Sequence, residues 1–185
     1  DWAQVAANGG LGVLLVVGHA FWPEQDWIWL AYAGALAAVN ADTWATELGV
    51  LSQTPPRLIT NGKVVARGTS GGVSLLGTLA ALGGALVIGL AAGWLLQETG
   101  IVVTVLAVSL AGLAGSLFDS WLGATLQAIY VCPRCQKETE RHPLHTCGTP
   151  TVQVRGWKWL NNDLVNVGCA MFGALLAAGL WLWLR

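Results

Sequence analysis

The sequence predicts an all-α membrane protein: a polytopic bundle of five spanning helices with one small zinc-binding loop on the cytoplasmic side. Three observations carry that reading. Of 185 residues, 55% are hydrophobic and 10% charged, and the mean hydropathy is +0.59, whereas a soluble domain is nearer a quarter charged. Several apolar stretches reach the roughly 20 residues needed to cross a bilayer. The cations are also confined: of the nine Lys and Arg, all but Arg185 lie in two connections, residues 52–69 and 131–163. A net charge of −1 leaves no basic footprint for nucleic acid.

In chain order the expected spans are residues 5–22, 27–51, 70–96, 101–130 and 164–184, forming a single transmembrane domain over 1–185 into which a loop, 131–160, is inserted. The first apolar run has no basic flank, so no signal-peptide pattern is visible there. The chain begins with Asp rather than Met; a processed or trimmed piece, with further helices upstream, is expected. Most of the 24 glycines fall inside the spans, where small residues let membrane helices approach closely. The turns "PEQD" and "QETG" carry acids and no cations, so the positive-inside tendency puts both basic connections in the cytoplasm. Trp22, Trp27, Trp29, Trp94, Trp181 and Trp183 would then form the outer aromatic belt, with Trp157 and Trp159 in the inner one.

Charged groups inside a span are costly and usually functional, and here they share one depth. The second span ends "AVNADTWATELG", with Asn40, Asp42, Thr43 and Glu47. The fourth holds "GSLFDSWLGATLQ", in which Ser116, Asp119, Ser120, Gly123 and Gln127 lie on one helical stripe. The fifth opens with Asn161, Asn162 and Asp163, followed by Asn166. Asn40, Thr43 and Glu47 share a face by spacing, and Asp42 points elsewhere, so that helix needs polar neighbours on two sides or unwinds. Ionised and unpaired, these carboxylates would each cost several kcal/mol; they call for cations. Mg²⁺ suits them, because it takes a few carboxylates, retained water and substrate phosphates. The expected magnesium ligands are Asp42, Asp119 and Asp163, and Glu47 is a further metal or orienting residue.

Facing these acids in sequence is "PRLITNGKVVARGTSGG". It supplies Arg57, Lys63 and Arg67 and then Gly68, Thr69, Ser70, Gly71 and Gly72 just before a span. Glycines admit close approach of backbone to an anion, a helix N-terminus favours phosphate, and Arg binds phosphate oxygens in bidentate fashion. With Asn40, Ser116, Ser120, Asn161, Asn162 and Asn166, this segment is the expected phosphate and substrate surface. An anion-gripping loop beside an acidic metal site implies phosphate chemistry at the inner membrane surface.

The inserted loop reads "CPRCQKETERHPLHTCG". Cys132, Cys135, His145 and Cys147 offer four tetrahedral ligands for a structural Zn²⁺, with His142 a competing choice and plain reduced thiols the alternative. Loops of some 30 residues rarely stay ordered unaided, and this one is expected to fold over the polar pocket. Cys169, within the last span, reads as a packing residue.

The blocks "ADTWATELGVLS", "PRLITNGKVVARGTSGGVSLLGT", "GSLFDSWLGATLQ" and "RGWKWLNNDLVN" resemble the signature blocks of the membrane family called domain of unknown function 92. The likeness runs from about Ala6 to Asn166. That family includes the plant phytyl-phosphate kinase of tocopherol synthesis and usually carries more hydrophobic segments upstream. The resemblance implies a prenyl-phosphate kinase that uses Mg²⁺ and a nucleoside triphosphate, CTP or another, to convert an isoprenoid lipid monophosphate to the diphosphate. It carries the metal and phosphate roles onto Asp42, Glu47, Arg57, Lys63, Arg67, the 68–72 loop, Asp119, Asn162 and Asp163. A lipid nucleotidyl or alcohol-phosphate transferase would use the same parts; a transporter or scaffold would need a polar path across the membrane, which the outer halves of the spans lack.

Overall fold

The computed structural model describes residues 2–96 and 100–184; the "QETG" turn, apart from its last glycine, and Arg185 lie outside the described residues. Five long helices form the body: α1 (Trp2–Phe21), α2 (Asp26–Gly49), α3 (Leu75–Leu95), α4 (Ile101–Thr125) and α5 (Asn162–Leu184). They run up and down. α2 sits at the centre and packs on each of the other four. α1, α3, α4 and α5 are long and apolar enough to cross a membrane. This corrects the expected five spans to four. α2 has the length, but Trp27, Trp29 and Tyr32 near its start and Asn40, Asp42 and Glu47 near its end dilute its hydropathy. Its middle is buried among its neighbours, while Trp27 and Glu47 near its two ends stay exposed.

Small side chains explain the packing. Most of the buried residues of α2 and α3 are Ala or Gly, so the helices approach to backbone contact rather than interdigitating large side chains. α2 and α5 come to backbone contact in this way: a Cβ on Gly173 would lie 2.6 Å from both Gly34 O and Ala38 Cβ. The large apolar residues point outward instead, among them Leu79, Val87 and Leu90 of α3, Leu106 and Leu110 of α4, and Leu175 and Leu182 of α5. In water that surface would be a liability; in lipid it is the solvated face.

The connections at one end of the bundle hold short strands, so the all-α expectation needs amending. β1 (Arg57–Leu58) pairs antiparallel with β2 (Gly72–Val73). In the long loop, β3 (Ile129–Cys132) pairs antiparallel with both β4 (Lys137–Thr139) and β5 (Val152–Arg155), giving the order β4-β3-β5. Two helix boundaries move for that reason. The fourth span stops at Thr125 rather than 130, because Ile129 to Cys132 enters the sheet. The third starts at Leu75 rather than 70, because Gly72 and Val73 pair with β1 and Ser74 caps the helix, its Oγ accepting from Gly77 N at 3.1 Å.

Candidate functional site

A cavity of about 460 Å³ opens at the looped end of the bundle. α2 brings Asp42, Thr43, Thr46 and Glu47 to it, α4 brings Ser116, Asp119, Ser120 and the following Gln127, and α5 brings Asn162, Asn166 and Cys169. Residues 67–74 form the facing wall. The face of α2 turned to the cavity is therefore set by Asp42 with Thr43, Thr46 and Glu47, and the helix does not unwind. Polar neighbours meet both of its sides: Ser116 Oγ donates to Asp42 Oδ1 at 3.2 Å, and on the other side Asn40 Nδ2 donates to Gly84 O at 2.9 Å.

Four acids line this cavity (Asp42, Glu47, Asp119 and Glu140) against one arginine, Arg67. Asp119 Oδ2 is buried and meets no hydrogen-bond partner among the described residues. A carboxylate oxygen in that state, beside other acids, is a place for a cation. Asp42 and Asp119, from separate helices, fit Mg²⁺, which takes one or two protein carboxylates and completes its shell with water and phosphate oxygens.

The glycine segment is held to the protein by its backbone. Gly71 has φ +81°, a conformation that glycine adopts at no steric cost, and a Cβ there would lie 2.5 Å from Ala124 N. Gly72 N donates to Thr69 O at 3.0 Å, closing a tight turn. Ser70 Oγ donates to Oε1 of the fully buried Gln127 at 2.8 Å. Arg67 Nη2 donates to Ser52 O at 2.6 Å, which fixes that cation at the rim.

Several expected site residues stand elsewhere. Asn40, Arg57, Lys63, Asn161 and Asp163 do not line the cavity. Asn40 joins two helices. Arg57 Nη1 donates to Gly62 O at 2.9 Å within its own turn, and Lys63 is exposed on that same turn. Asn161 Oδ1 accepts from Leu164 N at 3.0 Å, which makes it the cap of α5. Asp163 lies in the first turn of that helix, where an acid offsets the dipole. The structure also adds residues. Gln4 and Asn8 of α1 line the cavity; their spacing of four at the start of an apolar span was the available signal. Glu140 reaches it from the long loop, and no local pattern marks it out from the other acids there. Arg155 was equally invisible, because its partners are carbonyls: Nη1 donates to Gly123 O at 2.6 Å and Nη2 to Ser70 O at 3.2 Å.

Beyond the cavity, the donor atoms of Cys132, Cys135, His145 and Cys147 all lie within 4.8 Å of one another and could hold a metal ion. Among the described residues this is the one such group of three or more His, Cys, Asp or Glu. The Cys147 thiol is drawn down to about 5 by its hydrogen bonds with Thr149 and His145, while the bond to Cys147 pushes Cys135 up to about 11. One thiolate is thus favoured in the cluster even without metal. His142, the competing ligand, stacks instead on Tyr130 with ring centroids 4.6 Å apart.

Known proteins agree with this picture of a membrane chain. An uncharacterised membrane protein of Methanocaldococcus jannaschii is 41% identical over 124 residues, covering 67% of this chain and 50% of its own length. Protein PGR of Arabidopsis thaliana is 38% identical over 192 residues, covering 90% of this chain and 64% of its own. The chloroplastic protein VTE6 of the same plant is 31% identical over 158 residues, covering 80% of this chain and 36% of its own. This chain therefore spans between about a third and two thirds of these relatives. No solved structure resembles it significantly. The match to the sequence family described as integral membrane protein DUF92 extends over residues 1–174, and the chain belongs to that family.

Proposed function

We propose that the protein is a prenyl-phosphate kinase that works at the cytoplasmic face of the membrane. The observation that carries this reading is the pairing of Asp42 and Asp119, from separate helices, with the Gly68–Gly72 segment across one cavity. The resemblance to a family that includes a phytyl-phosphate kinase supports the substrate class. The cytoplasmic assignment rests on the cations, which gather on the two connections bordering the cavity.

A lining of four acids and one arginine would repel a triphosphate and a lipid phosphate on its own. Asp42 and Asp119 would hold Mg²⁺ there, with Glu47 orienting its water; the bound ion neutralises charge on the phosphate oxygens. Arg67 and the glycine segment would hold the transferred phosphoryl group in place. Ser116 holds Asp42 in its rotamer through the 3.2 Å bond. The isoprenoid tail lies among the apolar helices and its phosphate enters the cavity. An oxygen of that monophosphate bonds to the terminal phosphorus of the nucleotide, the bond to the bridging oxygen breaks, and the nucleoside diphosphate leaves with the electron pair. The acceptor is already ionised, so the step needs positioning and charge neutralisation more than a strong base.

The test is to reconstitute the protein and supply a panel of prenyl monophosphates with labelled nucleoside triphosphates. The expected products are a prenyl diphosphate and a nucleoside diphosphate. Asp119→Asn should lower turnover by roughly 100-fold or more while the protein stays folded. Release of pyrophosphate would point to nucleotidyl transfer instead, and no turnover with any pair would end the kinase reading.

A further inference from the structure

We propose that a zinc ion held by Cys132, Cys135, His145 and Cys147 latches the β3–β5 sheet against the cavity mouth, with Arg155 as the strut. The latch is independent of the reaction assigned above. Tetrahedral zinc with bonds of about 2.3 Å to sulfur sets its ligand atoms roughly 3.5–4 Å apart. Here Cys132 Sγ and Cys135 Sγ each lie 3.5 Å from Cys147 Sγ, and His145 Nδ1 lies 3.2 Å from it. Three sulfurs and one imidazole form a closed donor set, the pattern of a structural site rather than a catalytic one.

The position of that site gives it a mechanical role. Cys132 ends β3 and Cys135 lies in the turn that leads into β4, so the metal closes the hairpin at its far end. At the near end, Glu140 follows β4 and enters the cavity wall. β3 also pairs with β5, whose last residue is Arg155. That guanidinium bridges Ser70 O of the glycine segment and Gly123 O of α4. The sheet is three short strands whose outer residues are mostly exposed, too small to stand alone without a staple. Metal binding therefore orders the sheet, and the sheet holds the glycine segment on the helix.

Elemental analysis of the purified full chain should find about one zinc per molecule, and Cys135→Ser should lose it. Backbone hydrogen exchange, followed by mass spectrometry on peptides covering residues 68–72, should then quicken about 10-fold or more when a chelator strips the zinc from the unaltered protein. Arg155→Ala should keep its zinc and show the same quickening at 68–72, which separates the strut from the metal site and from any failure to fold. A protein without zinc, or with iron in its place, would overturn the site. Unchanged exchange at 68–72 after zinc removal, or in Arg155→Ala, would overturn the latch.

Discussion

The two halves of the helix bundle use the same helices for opposite ends. In the closed half, α2 and α5 touch at Gly34 and Gly173, and the side chains beside them, Ala38 and Ala177, are small enough to let the backbones meet. About two turns further along α2, at Asp42, the helices part around a 460 Å³ cavity lined by acids, amides and hydroxyls. The closed half has few polar groups to satisfy and is held by contact; the open half is lined by acids, amides and hydroxyls.

Four substitutions would break or sharpen that contrast, in decreasing order of effect. Gly173→Leu drives a large side chain into Gly34 O and Ala38; overpacking of this kind should cost about 3 kcal/mol or more, read as a sharp fall in thermal unfolding temperature in detergent. A variant that melts normally would mean the bundle is looser than its backbone spacing indicates. Asp42→Asn, in the open half, should leave melting unchanged yet slow phosphoryl transfer by roughly 10- to 100-fold. Loss of both together would make Asp42 a structural residue. Asn40→Ala removes the bond to Gly84 on the far side of α2; a drop of about 0.6 kcal/mol in stability, with transfer rate intact, would assign it to the packed half. Asp163→Asn should change stability by only a few tenths of a kcal/mol and leave turnover within about 3-fold of the unaltered protein. A loss equal to that of Asp42→Asn would return Asp163 to the cavity acids.

The parts of the site that were legible in the sequence are those written along one helix. The stripe from Ser116 to Gln127 follows helical spacing, and its polar members face the cavity as a set. The glycine segment was legible because glycine and hydroxyl residues mark a backbone that must bend. Asn40 and Asp42 were harder to sort, since periodicity assigns faces but not which face meets a cavity and which meets a neighbouring helix. Asp163 resembled a ligand from its neighbours Asn161 and Asn162, whereas the first turn of a helix gives an acid and a capping amide a local role of their own. Glu140 and Arg155 left no trace, because the contacts that define them cross from a small sheet to other elements.

Composition and hydropathy by themselves determined that this is a membrane chain of long helices, with polar groups collected at one depth and a thiol-rich loop between the last two helices. Those properties are local: each depends on residues a few positions apart. The tertiary structure alone decided that the middle of α2 is enclosed by its neighbours, that Asp42 rather than Asn40 faces the cavity, and that Glu140 of the loop reaches the cavity wall. The physical reason is that burial and cavity shape depend on which helix surfaces meet, and small residues permit many meetings that spacing cannot rank.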